Sequence, residues 1–139
     1  MQKISDYHNL IPLEPFTLVV KSHWFIQPLQ ARIVVNNKEL HDGSVPDDIH
    51  FNLMHDISSP LQILIGMSGK GPGYTTSTQD HALEIELYYN NEMVLPLHRQ
   101  GIDYVDNVPY IGFNGVWRYD TGISWHEHWW TVSGKGQIY

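Results

Sequence analysis

The segment His81–Tyr89, HALEIELYY, constrains the fold more than any other stretch of this chain. Leu83, Ile85, Leu87 and Tyr89 fall at every second position, with Glu84, Glu86 and Tyr88 between them. Side chains on a strand alternate between faces, whereas a helix needs apolar residues three and four apart, so this segment predicts a half-buried β-strand. Asn90-Asn91 follows, and the chain turns apolar again from Met93 to Leu97. Asparagine tolerates positive φ, so the pair predicts a tight hairpin. Ala31–Leu40, ARIVVNNKEL, repeats the same grammar around Asn36-Asn37.

The rest of the chain uses the same vocabulary. Phe16–Lys21 is β-branched and apolar, a strand that could run on through His23–Ile26 until Pro28. His41–Pro46 is a turn cluster. From Asp48 to His55, Ile49, Phe51 and Leu53 alternate with His50, Asn52 and Met54, and Leu61–Ile65 is a further strand after Pro60. Gly66–Asp80 has little core material and predicts a loop, while Leu97–Val108 is polar. Asn114-Gly115 lies between aromatic-rich runs and predicts a hairpin; Trp125–Val132 predicts a last strand, and Ser133–Gly136 a turn.

No segment carries a helical stripe. The expectation is therefore an all-β, antiparallel β-sandwich of jelly-roll or C2-like type, with about eight to ten short strands and little or no helix; a barrel is the alternative. Residues 1–15, with Pro12 and Pro15, predict an extended N-terminal arm, and residues 16–139 a single β-sandwich domain.

Composition excludes several function classes. A net charge of −7 with only eight Lys and Arg argues against a nucleic-acid partner, because phosphate neutralisation needs clustered cations. No apolar run approaches the ~20 residues that span a bilayer, and no apolar leader precedes Pro12, so neither a membrane partner nor a secretory signal is expected. The absence of cysteine removes disulfides and thiolate metal sites. Charged residues are only 17%, so Asn, Ser, Thr, Gln and His must supply much of the polar surface.

Candidate site residues gather in Val108–Trp130, which holds four of the five tryptophans. On a strand, His126 and His128 share a face and form a candidate zinc-site element needing a third ligand. On the same strand Trp130 opposes Trp125 and Trp129, so at least one of the three is expected at a surface or interface. Trp125, Trp129 and Trp130, with Trp24 and Tyr88, are the candidate ligand- or partner-binding aromatics, suited to stacking on sugar rings or anchoring a protein interface. Trp117 is expected in the core. Asp47, Asp48, Asp103, Asp106 and Asp120 fall at predicted loops, where calcium could be held, but without EF-hand spacing. Glu84 and Glu86 read as a wet face, and nothing matches a nucleophile elbow or a Walker loop. No cofactor is expected beyond a candidate calcium or zinc ion.

From Leu61 to Trp130 the chain resembles a group of small proteins encoded by tailed bacteriophages. The likeness runs through LQILIGMSGK, a Gly/Thr loop, DHALEIELYYNN and PYIGFNGVWRYD, with Lys70, Thr75, Asp80, Ala82, Ile85, Asn114, Gly115 and Trp117 matching in type. The resemblance implies a compact sandwich, similar to C2-like and carbohydrate-binding modules, used as a virion part. The leading expectation is thus a non-enzymatic structural or adhesive component of a phage particle, in tail, baseplate, neck or capsid surface. Its partners would be other virion proteins or copies of itself, and host-surface glycan. The alternatives are a carbohydrate-binding module using exposed tryptophans and a metal-dependent enzyme built on His126 and His128.

Overall fold

A computed structural model of the chain describes residues 12–97 and 109–133. The expected all-β sandwich is what these residues form: nine strands in two antiparallel sheets, closed at one end by a short helix. The strands are β1 (Leu13–His23), β2 (Leu29–Val35), β3 (Lys38–Val45), β4 (Ile49–Asp56), β5 (Gln62–Ser68), β6 (Ala82–Tyr89), β7 (Glu92–Leu95), β8 (Tyr110–Ile111) and β9 (Gly115–Asp120), followed by α1 (Trp125–Val132). One sheet has the order β4-β1-β6-β7, with β8 also on β6; the other has the order β3-β2-β5-β9.

The period-two segments deliver the core. Phe16, Leu18 and Val20 of β1 and Leu83, Ile85, Leu87 and Tyr89 of β6 join Leu29, Ala31, Ile33 and Val35 of β2, Ile63, Ile65 and Met67 of β5 and Trp117 and Tyr119 of β9 in one buried cluster. At ~25 cal/mol per Å² of apolar surface removed from water, this face-to-face burial is the main driving force for the fold. Glu84 and Glu86 take the outer face and pair across the sheet with His23 and Lys21, the wet face expected of them.

Both asparagine pairs make the hairpins they predict. Asn36 and Asn37 have φ of 46° and 66°, and Asn90 and Asn91 have 49° and 65°, so each pair has both central residues left-handed, as type I′ turns need. Val35 then faces Lys38, and Tyr89 faces Glu92.

Four boundaries differ from the expectations. Strand β1 begins at Leu13, so Leu13–Pro15 of the expected arm pair with Met54–Asp56; residues 1–11 lie outside the described residues, as do the polar stretch 98–108 and residues 134–139. Strand β1 ends at His23, and residues 24–28 form a loop. His41–Val45 is strand, not turn, because its backbone pairs with β2 from Leu29 to Ile33. Asn114-Gly115 is no hairpin: β8 pairs with β6 and β9 with β5, so the dipeptide carries the chain from one sheet to the other.

The largest correction is at the C-terminal end. Trp125–Val132 is an α-helix, not a strand. Ser124 is its N-cap: its hydroxyl accepts from Glu127 N and donates to Glu127 Oε1. Ser-x-x-Glu ahead of an apolar run is a helix-start signature, and Glu127 also sits favourably in the first turn of the helix dipole.

Candidate functional site

The sandwich has two dissimilar ends. Both asparagine hairpins, the β4–β5 connection and α1 share one end. There the first two amides of α1 are satisfied by the β4–β5 connection, Trp125 N donating to Ser59 O at 3.0 Å and His126 N to Ile57 O at 2.9 Å. Trp125 meets Phe16 and Tyr89 edge-on at 5.0 and 5.3 Å and stacks on Trp129 at 5.7 Å.

This packing redistributes the candidate residues. Trp125 and Trp129 are buried, one helical turn apart on the inward face, and cannot serve as an exposed platform. Trp130 is the one of the three that stays exposed, because it falls on the outward face of the helix. Tyr88 is half-buried on the outer face of the first sheet, where its hydroxyl donates to Glu86. Burial first, and then Glu86, pushes its phenol above the usual value. His126 and His128 part company: two residues on a helix are about 200° apart, so the shared face of a strand is lost. His128 is buried and its imidazole is pushed down by burial, whereas His126 is exposed beside Trp130. Among the described residues no three His, Asp or Glu side chains are grouped to hold a metal ion. Asp48 lies near the opposite end from Asp120 and accepts from Ser22 N; Asp120 is engaged by Gln62, Arg118 and Gly122 N; Asp103 and Asp106 lie outside the described residues.

The other end is built of loops: residues 24–28, 46–48, 69–81 and 112–114. Two polar knots fix them. The first is centred on Asp80. Its Oδ1 receives Lys70 Nζ and Thr75 Oγ1, both at 2.6 Å, and its Oδ2 receives the Tyr110 hydroxyl at 2.5 Å. Lys70 Nζ also donates to Gly112 O at 2.6 Å. Burial alone would raise the Asp80 carboxyl, but the bonds from Lys70, Thr75 and Tyr110 outweigh it and hold the group well below the usual carboxylate range. Burial and then the Asp80 charge push the Tyr110 phenol up to about 12. Beside the knot, Asn114 uses its amide as a strand would use its backbone, accepting from Lys70 N at 3.0 Å and donating to Lys70 O at 2.9 Å.

The second knot is His81, which is fully buried. Its Nε2 accepts from Phe25 N at 3.1 Å and Ile26 N at 3.0 Å, and its Nδ1 lies 3.0 Å from Tyr74 O. Two donors on Nε2 require the tautomer with hydrogen on Nδ1. The ring lies between Phe25 and Tyr74, with centroids 4.3 and 4.2 Å away. The β1–β2 loop is thereby tied to the β5–β6 loop.

Between these knots lies a polar cleft of about 460 Å³, bordered by Trp24, His23, Gln79, Asp80, Glu84 and Tyr110. Of the candidate aromatics, Trp24 alone borders it. A second, more apolar cleft of about 350 Å³ opens between the edges of β3 and β4, with Phe16, Leu61, Ile63 and Leu87 among its lining. Sequence reasoning singled out Lys70, Thr75 and Asp80 only through the resemblance, and it missed Tyr110. It took Asn114 as a turn residue, and His81, with His23 or an aspartate, as a candidate third metal ligand beside His126 and His128. The structure instead places His81 in the second knot, away from α1. The lone lysine in a glycine-rich loop, ten residues before Asp80, is the local signal for the first knot.

No family model, no curated protein and no solved structure matches this chain.

Proposed function

We propose that this chain is a non-enzymatic structural and adhesive component of a phage particle, working through contacts made by the loop end of the sandwich. The supporting observation is the composition of that end. Trp24, Phe25, Ile26 and Phe113 are between 36% and 53% exposed, three of them consecutive in one loop. Large apolar side chains held in water at one end of a folded domain mark a contact surface, because burying them against a partner recovers the hydrophobic term.

Rigidity supports the same reading. The loop carrying Trp24–Ile26 is bonded to His81 through two backbone amides, so little ordering entropy remains to be lost when a partner docks. Partners of this kind are other virion proteins or further copies of the chain, repeated by particle symmetry.

Sedimentation of the purified chain and mass spectrometry of purified phage particles test this reading together. The expected result is stoichiometric recovery of the chain in particles, with self-association or co-sedimentation weakened by Ile26→Ser or Phe113→Ser. A chain that stays monomeric at all concentrations and is absent from particles refutes it.

A further inference from the structure

We propose that the cleft between the β1–β2 loop and the β5–β6 loop is a saccharide-binding site for neutral, hexopyranose-containing glycans. The inference stands on the cleft alone and does not depend on the chain being a particle component.

The chemistry of the walls carries it. Trp24 is 41% exposed, and its indole is held in one orientation by a 2.8 Å bond from Nε1 to Pro46 O. A fixed, half-exposed indole offers its apolar face to the C–H face of a sugar ring at little conformational cost. Phe25 is fixed beside it by its ring contact with His81 and the amide bond to the same imidazole. The same cleft is bordered by Glu84 and Asp80, whose carboxylate oxygens accept, and by Thr78 and Gln79, exposed groups that both donate and accept. Vicinal hydroxyls need this combination: strong acceptors for their O–H groups and a few donors for their lone pairs. The volume of about 460 Å³ falls in the range of small-ligand sites, ~300–1,000 Å³, and suits a short oligosaccharide.

Charge selects among ligands. Both carboxylates already have a nitrogen partner: Glu84 Oε1 is 2.7 Å from His23 Nε2, and Asp80 Oδ1 is 2.6 Å from Lys70 Nζ. A cationic ligand would have to displace them. An anionic ligand would meet two carboxylates, in a chain of net charge −7. A neutral polyhydroxylated ligand meets neither obstacle.

The test uses the purified full-length chain on a printed array of neutral hexose, N-acetylhexosamine, sialylated and uronic-acid glycans. The strongest neutral glycan is then titrated calorimetrically. Neutral glycans are expected to bind in preference to acidic ones. Trp24→Ala should weaken that binding about tenfold or more, as truncating a central aromatic anchor does. Gln79→Ala should weaken it less, and Trp130→Ala, at the opposite end, should leave it unchanged. Circular dichroism confirms that each variant is folded. Silence across the array, binding confined to acidic glycans, or equal affinity of Trp24→Ala and the parent overturns the proposal. A chain present in particles but silent on the array refutes this inference and leaves the particle reading standing. A chain that binds glycan but stays monomeric and is missing from particles does the reverse.

Discussion

Replacing Asp80 with alanine removes the group on which the loop end converges. Three side chains lose their acceptor at once: Lys70, Thr75 and Tyr110. The cost is bounded by two known cases. Exposed ion pairs contribute about 0–1 kcal/mol, and breaking a fully buried pair costs about 3–5 kcal/mol. The Lys70 side chain is 13% exposed and that of Asp80 is 27%, so the pair lies between the two cases. A loss of about 2–3 kcal/mol follows, with the Lys70 ammonium keeping only its bond to Gly112 O. For a domain of this size that lowers the melting temperature by roughly 8–12 °C. Urea denaturation followed by circular dichroism measures it directly.

The same variant tests the electrostatics. The Asp80 carboxyl titrates well below its ordinary value in the folded state, so its contribution is present above the unfolded value of about 3.9 and is lost as pH falls below that toward the folded value. The stability gap between the parent and Asp80→Ala should be constant from about pH 5 to 8 and narrow by about 1 kcal/mol at pH 3. Lys70→Met, combined with Asp80→Ala in a double-mutant cycle, should show a coupling of about 1 kcal/mol or more. A loss under about 0.5 kcal/mol, additive single variants, or a gap unchanged down to pH 3 would refute a stabilising charged knot.

Three further outcomes are expected. The Tyr110 phenol is raised, so its contribution is complete below about pH 10 and lost as pH rises toward its folded value of about 12; Tyr110→Phe should flatten this alkaline decline in thermal melts, and an unchanged decline would exclude Tyr110 as its source. His128 is depressed by burial, so stability should fall as pH drops from about 6.5, and His128→Gln should remove that acid limb, read by urea titrations at pH 7 and 5. Asn91 is exposed with φ of 65°, so Asn91→Gly should be within about 0.5 kcal/mol of the parent while Asn91→Val costs about 1–2 kcal/mol; equal effects would show that backbone conformation does not decide this turn.

Features that depend on near neighbours in the chain are legible in the residues alone. Alternation in Ala82–Tyr89 specifies a strand and its buried face, because period two is a local property of the extended backbone. Asn36-Asn37 and Asn90-Asn91 specify hairpins, because each turn is closed by its own two residues and the strands on either side. The Ser124–Glu127 capping pair is equally local, and it starts α1 despite the high β-propensity of the tryptophans beside it, which is what made Trp125–Val132 read as a strand.

Tertiary structure decided what depends on distant partners. Asn114-Gly115 carries the stronger hairpin signal, yet its flanking strands found β6 and β5 in different sheets, and Asn114 bonds to Lys70 instead. Trp125 and Trp129 of α1 are core because Phe16 and Tyr89 lie beneath them, whereas Trp130 on the same helix stays exposed. The cleft at the loop end exists because Trp24, Asp80 and Tyr110, far apart in the chain, are brought to one border. No window of sequence contains those encounters: a turn is settled over a few residues, whereas a cleft is settled by which strands pair and which loops those pairings bring to the same end.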